Sequence, residues 1–242
     1  YSAALVNVEK DTGLQLFGGT RPGCWNSMIP ANGLLTMQES SAGCTCSYSL
    51  RTTITLKHKP QKEPGEWTVF ISDQPTLPVS HMAINLGAPG DRRAPDGKLW
   101  VEHPKVGGNS ADAPVTIEPA NAAPFRLHSS TIKGDGLKWV AASGLRGVKS
   151  VQLKLEKKGA HRLRLHFLEP DELPARARQF DIVINGQTVQ RQFDITASAG
   201  APRRAVVREF KVDATEGAIQ IDLRPTTRNQ PILSGIEWFP LP

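Results

Sequence analysis

The sequence predicts an all-β chain, and three observations carry that expectation. Of 242 residues, 21 are Gly and 19 are Pro. Punctuation this dense suits short strands joined by turns, not long helices. Apolar residues recur at every second position in many segments, as in His161-Arg-Leu-Arg-Leu-His-Phe167. That alternation gives a strand one buried and one solvated face. No segment carries a convincing helical stripe.

Length and composition set the outer bounds. The chain can hold one large domain or two small ones and can bury a core. Its 39% hydrophobic and 21% charged residues describe a folding sequence. No run approaches the roughly 20 apolar residues of a membrane helix, so no membrane span is expected. The sequence opens mid-pattern at Tyr1-Ser-Ala-Ala-Leu-Val and reads as a processed or excised piece of a longer polypeptide. The net charge of +6 and pI near 9.4 raise the question of nucleic acid. The basic residues are dispersed, however, and few aromatics accompany them for base stacking. They read as solvated surface, and no nucleic-acid partner is expected.

Residues 1–60 show hairpin grammar. Ala4 to Glu9 precedes the turn residues Lys10-Asp-Thr-Gly13, and Leu14 to Phe17 follows. Next come Asn26 to Ile29, a turn at Ala31-Asn-Gly33, Leu34 to Met37, and a strand within Ser47 to Leu56. Three cysteines fall here: Cys24, Cys44 and Cys46. Four metal ligands with C-x-x-C spacing are missing. Cys44 and Cys46, two apart, share one strand face and cannot easily bridge each other. Cys24 paired with Cys44 or Cys46 would close a loop of about 20 residues and supply on the order of 3 kcal/mol. Such a bond implies an oxidising compartment; three reduced thiols in a cytosolic protein are the alternative. The stretches Phe17-Gly-Gly-Thr-Arg-Pro-Gly-Cys-Trp25, Ile29 to Leu35 and Gly43 to Leu50 resemble the closing blade of a pyrroloquinoline-quinone-type β-propeller in large secreted bacterial proteins. A single blade needs neighbours to bury its faces. The resemblance therefore implies another polypeptide, or a missing N-terminal part, that completes the propeller.

Residues 61–77 read as a linker with one strand, Trp67 to Ile71, and residues 78–242 as the main domain. Its expected strands are Met82–Leu86, Lys98–Val101, Phe125–His128, Leu137–Val140, Ser150–Leu155, Ala160–Phe167, Phe180–Asn185, Val189–Ile195, Ala205–Val212, Ala218–Leu223 and Ile232–Phe239. Many short strands between turn signals argue for a sandwich. Asn185-Gly186 supplies a two-residue hairpin turn. Five segments together resemble the malectin-like domain: Leu163 to Pro170 with its Phe-x-Glu, Phe180-Asp-Ile-Val-Ile-Asn-Gly186, Val189 to Ile195, Lys211-Val-Asp213, and Ile232 to Glu237. Ile84-Asn-Leu-Gly-Ala88 and Asp96-Gly-Lys-Leu-Trp100 match how such domains begin. Over residues 81–240 the resemblance implies a malectin-like jelly-roll β-sandwich that binds carbohydrate through loops at one end, preceded by a partial β-propeller blade.

The resemblance places Asp171 and Glu172 where that family carries adjacent Tyr-Phe. Asn229, beside Arg228, stands for its acidic residue, and Asp112 and His128 fall near its other tyrosines. Trp139 is the best stacking aromatic, with a core tryptophan as the alternative. The expected glycan-binding set is thus Asp112, His128, Trp139, Asp171, Glu172, Arg228 and Asn229. The pair Asp171-Glu172 lacks the carboxylate separation of a glycosidase. The serine-hydrolase, zinc-protease and phosphate-loop motifs are absent. No catalytic residue, cofactor or metal site is expected, although two carboxylates could contribute oxygens to a structural Ca2+. His161 and His166 should face opposite sides of one strand. The reading is a non-catalytic glycan-recognition module, periplasmic or extracellular. Its alternative is an assembly module that packs against a propeller-bearing chain and binds no sugar.

Overall fold

The computed structural model describes residues 3–6, 9, 14–17, 23, 28–39, 52–57, 82–106, 111–214 and 216–241. The chain divides into two compact units, Tyr1–Lys62 and Glu63–Pro242. In the first, β1 (Ala3–Val6) pairs antiparallel with β2 (Leu14–Phe17), and β3 (Ile29–Ala31), β4 (Leu34–Met37) and β5 (Ile54–Lys57) form an antiparallel sheet. Asn32 and Gly33 turn between β3 and β4 with φ of 52° and 72°, the left-handed pair of a tight hairpin. The cysteines Cys24, Cys44 and Cys46, the Asp-Thr-Gly turn and the strand Trp67 to Ile71 lie outside the described residues.

The second unit is built from β6 (Met82–Leu86), β7 (Arg92–Arg93), β8 (Leu99–His103), β9 (Val115–Glu118), β10 (Ala123–Arg126), β11 (Lys133–Gly134), α1 (Lys138–Ala141), β12 (Ser143–Arg146) and β13 (Ser150–Lys154). It continues with β14 (Gly159–Phe167), β15 (Gln179–Ile184), β16 (Gln187–Asp194), α2 (Ile195–Ala199), β17 (Arg204–Ala214), β18 (Ala218–Pro225), β19 (Ile232–Leu233) and β20 (Gly235–Pro240). A seven-stranded sheet runs β11-β17-β14-β20-β6-β8-β7, and a five-stranded sheet runs β16-β15-β18-β13-β9. A small sheet, β10-β12-β19, accompanies them. Pairing is antiparallel except for β6 with β8 and β11 with β17. This is the expected all-β sandwich.

Alternation decides what each face meets. On β14, Leu163, Leu165 and Phe167 point into the main core, with Arg162, Arg164 and His166 on the other face. The same core takes Val151 and Leu153 of β13, Phe180, Ile182 and Ile184 of β15, and Ile219, Ile221 and Leu223 of β18. Both large sheets thus share one interior. Phe167, Phe180 and Phe193 meet there with ring centroids 4.8 to 5.9 Å apart. Burial of each such side chain contributes about 1.5–3 kcal/mol. His161 faces inward and His166 outward, as the alternation requires.

Four predicted strands are corrected, one of them Ile232–Phe239, which breaks at Ser234 into β19 and β20. Leu137–Val140 is a helical turn, α1. Trp139, Val140 and Ala141 are consecutive and all buried, which a strand with one covered face cannot achieve. Ala141 and Ala142 enter the main core, whereas Trp139 and Val140 pack with Ala83, Ala94 and Trp100 on the outer face of the seven-stranded sheet. Gly235 permits this packing: a Cβ there would lie 2.5 Å from Val140 Cγ1 and 3.0 Å from Trp100. The expected strand Phe125–His128 ends at Arg126, and His128 caps a 3-10 turn at Ser129–Thr131. Ile195 opens α2 instead of ending its strand. Asp194 caps this helix through Oδ1, which accepts from Ala197 N at 2.8 Å, and Gly200 at φ 80° closes it.

Candidate functional site

Two neighbourhoods collect the expected site residues. The first grows from the end of β10. Arg126 donates from Nε to Gly87 O at 2.6 Å and from Nη2 to Ala88 O at 3.2 Å, so its guanidinium is fixed by two backbone carbonyls. β10 and β12 pair Arg126 with Ser143, and Leu127 N reaches Ala142 O at 2.7 Å. The Ser143 hydroxyl donates to Asn85 Oδ1 at 3.0 Å. His128 is exposed, and its Nδ1 accepts from Ser130 N at 3.3 Å. Together with Pro89 and Trp139 these residues line a cavity of about 270 Å³. Convergence of a few polar groups on an apolar concavity is the usual form of a small-ligand site.

Trp139 is 4% exposed and lines the cavity with little free surface. Arg92 Cζ lies 4.6 Å from its ring centroid, and Trp100 meets it edge-on at 5.9 Å. Trp139 is thus buried as a core tryptophan is, and it also lines the cavity. Behind it, Trp100 also meets His166 at 5.1 Å, next to a charged knot. Glu237 accepts from Lys98 Nζ at 2.6 Å and from His166 Nε2 at 3.1 Å. Burial alone would raise the Glu237 carboxyl, but the hydrogen bonds from His166 and Lys98 prevail and hold it down at about 2.

The second neighbourhood ties two loops together. Arg146 grips Asp171 with both terminal nitrogens, at 2.5 and 3.0 Å. Arg178 donates to Glu169 at 2.7 and 3.3 Å, to Asp171 Oδ2 at 3.0 Å and to Gln230 O at 2.5 Å. Asn229 Nδ2 and Thr227 Oγ1 both donate to Ala177 O. Glu172 meets Arg203 at 3.1 Å. Asp171 and Asn229 are thereby joined through the Arg178 loop, while Arg228 is exposed. Asp112 stands apart in an ion pair with Lys105 at 3.5 Å. The carboxylates suggested as Ca2+ ligands pair with arginines, Asp171 with Arg146 and Arg178 and Glu172 with Arg203. Among the described residues, no group of three metal-ligating side chains converges.

Sequence reasoning missed Arg126, Ser143, Arg146 and Arg178. The small-residue run Ala141-Ala-Ser-Gly144 was the available signal, since it marks close backbone approach. A Cβ on Gly144 would fall on the Phe125 ring. The arginines gave none, being three among a dispersed basic set.

Residues 149–236 match the family model of the malectin domain. No curated protein matches the chain. Among solved structures, a β-glucuronidase of Bacteroides uniformis is similar at 15% identity with a TM-score of 0.53, over 66% of this chain and 18% of the enzyme. The extracellular domain of ANXUR2 from Arabidopsis thaliana is similar at 17% identity with a TM-score of 0.51, over 65% of this chain and 47% of that one. The plant receptor-like kinase FER gives 17%, 0.52, 65% and 48% in the same order. The chain thus spans less than a fifth of the glucuronidase and about half of the receptor structures. At these identities the likeness is one of fold: the second unit is an all-β sandwich, and residues 149–236 within it are similar to the malectin domain.

Proposed function

We propose that the second unit is a non-catalytic glycan-recognition module of a larger secreted bacterial protein, acting in the periplasm or outside the cell. The observation that carries this reading is the cavity that unites His128 and Trp139 with Arg126 and Ser143. Its polar groups are donors and a hydroxyl, suited to hydrogen-bonding a ligand, and its lining holds no carboxylate to act as an acid, base or nucleophile. The malectin-domain match over residues 149–236 supports it as well. Asp171, Glu172, Arg228 and Asn229 would extend the binding surface along the second neighbourhood, where the Asp171 and Glu172 carboxylates remain partly open to solvent beside their arginine partners. Calorimetric titration of the chain against a panel of neutral and acidic glycans tests the reading. Saturable binding with the glycan recovered unchanged is expected, and no heat with any of them at millimolar concentration overturns it.

A second reading concerns the first unit. Ile29 and Leu34, on paired strands, are 43% and 39% exposed, which favours a sheet that meets another polypeptide. We propose that this unit, stapled by Cys24 with Cys44 or Cys46, is the partial blade that docks on a propeller-bearing neighbour. Thiol titration before and after reduction should release two cysteines; release of none would remove the staple.

A further inference from the structure

We infer that the cavity beside Trp139 selects an anionic sugar residue, whose carboxylate is received by Arg126 and His128. The inference rests on the glycan-binding reading and names the ligand class for that site. It follows from a count of donors and acceptors at the wall. Two of the Arg126 nitrogens are spent on Gly87 O and Ala88 O, and the third, Nη1, remains for a ligand on a guanidinium tethered by those two carbonyls. The Nδ1 of His128 accepts the Ser130 N–H. The tautomer in which Nδ1 accepts both the Ser130 N–H and, at 2.7 Å, the Ser130 hydroxyl carries its proton on Nε2, which is then a donor. Ser143 gives its proton to Asn85 Oδ1 and keeps only oxygen lone pairs for the cavity.

The wall therefore offers donors from Arg126 and His128 against one acceptor, and no Asp or Glu lines it. A neutral sugar presents hydroxyls, each of which brings a proton that needs an acceptor. A carboxylate brings acceptors alone, about four lone-pair positions, and fits the excess of donors. One hydroxyl on the same ring can serve Ser143. The apolar remainder of the wall, from Pro89, Leu127 and Ala142, can cover the ring's C–H face. The volume of about 270 Å³ gives room for one sugar residue.

The test is calorimetric titration of the whole chain at fixed pH and ionic strength with D-glucuronate, D-galacturonate, D-glucose, D-galactose and acetate. At least one uronate should bind at least tenfold tighter than its neutral counterpart and than acetate. His128→Asp keeps a capping oxygen for the Ser130 N–H but sets a negative charge at the wall. It should weaken the uronate roughly tenfold to a hundredfold while circular dichroism and melting stay as in the parent. Arg126→Met should weaken it comparably. Equal binding of uronate and neutral sugar, or a uronate affinity untouched by His128→Asp, overturns the inference and leaves the glycan reading standing. Acetate binding as tightly as the uronates reduces the site to a bare anion site and overturns it too. If no sugar binds here or in the wider panel, both readings fall together.

Discussion

Replacing Arg178 with methionine isolates what holds the two end loops. The side chain is 7% exposed and makes four hydrogen bonds, two to Glu169, one to Asp171 and one to the carbonyl of Gln230. Asp171 keeps Arg146 when Arg178 is removed, but Glu169 does not fare so well. At 1% exposure its carboxylate would retain only the Asp171 N–H at 3.1 Å. Breaking a buried pair by removing one partner costs about 3–5 kcal/mol, because the remaining charge is uncompensated. For a folding unit of this size, each kcal/mol lowers Tm by about 2–4 °C. Arg178→Met should therefore melt about 6–20 °C below the parent in a calorimetric scan. Arg178→Met combined with Glu169→Leu removes the stranded charge and should recover most of the loss. Neither variant touches the cavity at His128 and Trp139, so ligand affinity there should be retained in the folded protein. A loss below about 1 kcal/mol in the single variant, or a double variant no better than the single, would refute the argument that this pair is a buried, mutually dependent lock.

Three further expectations follow from particular contacts. Gly235→Ala places a methyl within 2.5 Å of Val140 and 3.0 Å of Trp100, so it should cost about 1–3 kcal/mol in urea unfolding; an unchanged midpoint would show that α1 does not sit on the sheet as described. Asp194→Ala removes the cap of α2, which also accepts from Arg176 N, and should cost about 0.5–2 kcal/mol; Asp194→Asn should lose less. Glu237 titrates in the fold at about 2, below its ordinary 4.5. A depressed carboxyl contributes stability that is fully present above about pH 4.5 and is lost as pH falls towards 2. Glu237→Gln should flatten that acid limb of a stability–pH curve, and an identical limb in both proteins would contradict the assignment.

Much of the fold was legible where one strand face is buried and the other wet. The run through β13, β14, β15, β17 and β18 alternates, and Asn185-Gly186 announces its own turn with φ of 48° and 80°. α1 was not legible, because three consecutive apolar residues become helical only when two separate cores lie on either side of them. β12 was missed for a related reason. Ser143-Gly-Leu-Arg146 has weak strand character, and its pairing depends on the Phe125 ring fitting over Gly144. Ile232 to Phe239 looked like one strand, yet it breaks at Ser234 between two sheets. The site followed the same division. His128 and Trp139 stood out by residue type. Arg126 did not, since its role comes from carbonyls 38 and 39 positions away. Nor did Arg178, whose partners lie on a loop 52 residues on and on a glutamate buried by tertiary packing.

The most direct test of the account is amide chemical-shift mapping of the labelled chain during titration with a glycan that binds, followed by analysis of that glycan. Saturable shifts centred on residues 126–128 and 139–143 and a glycan recovered intact are expected. Shifts confined to other faces of the sandwich, or a cleaved glycan, would contradict it.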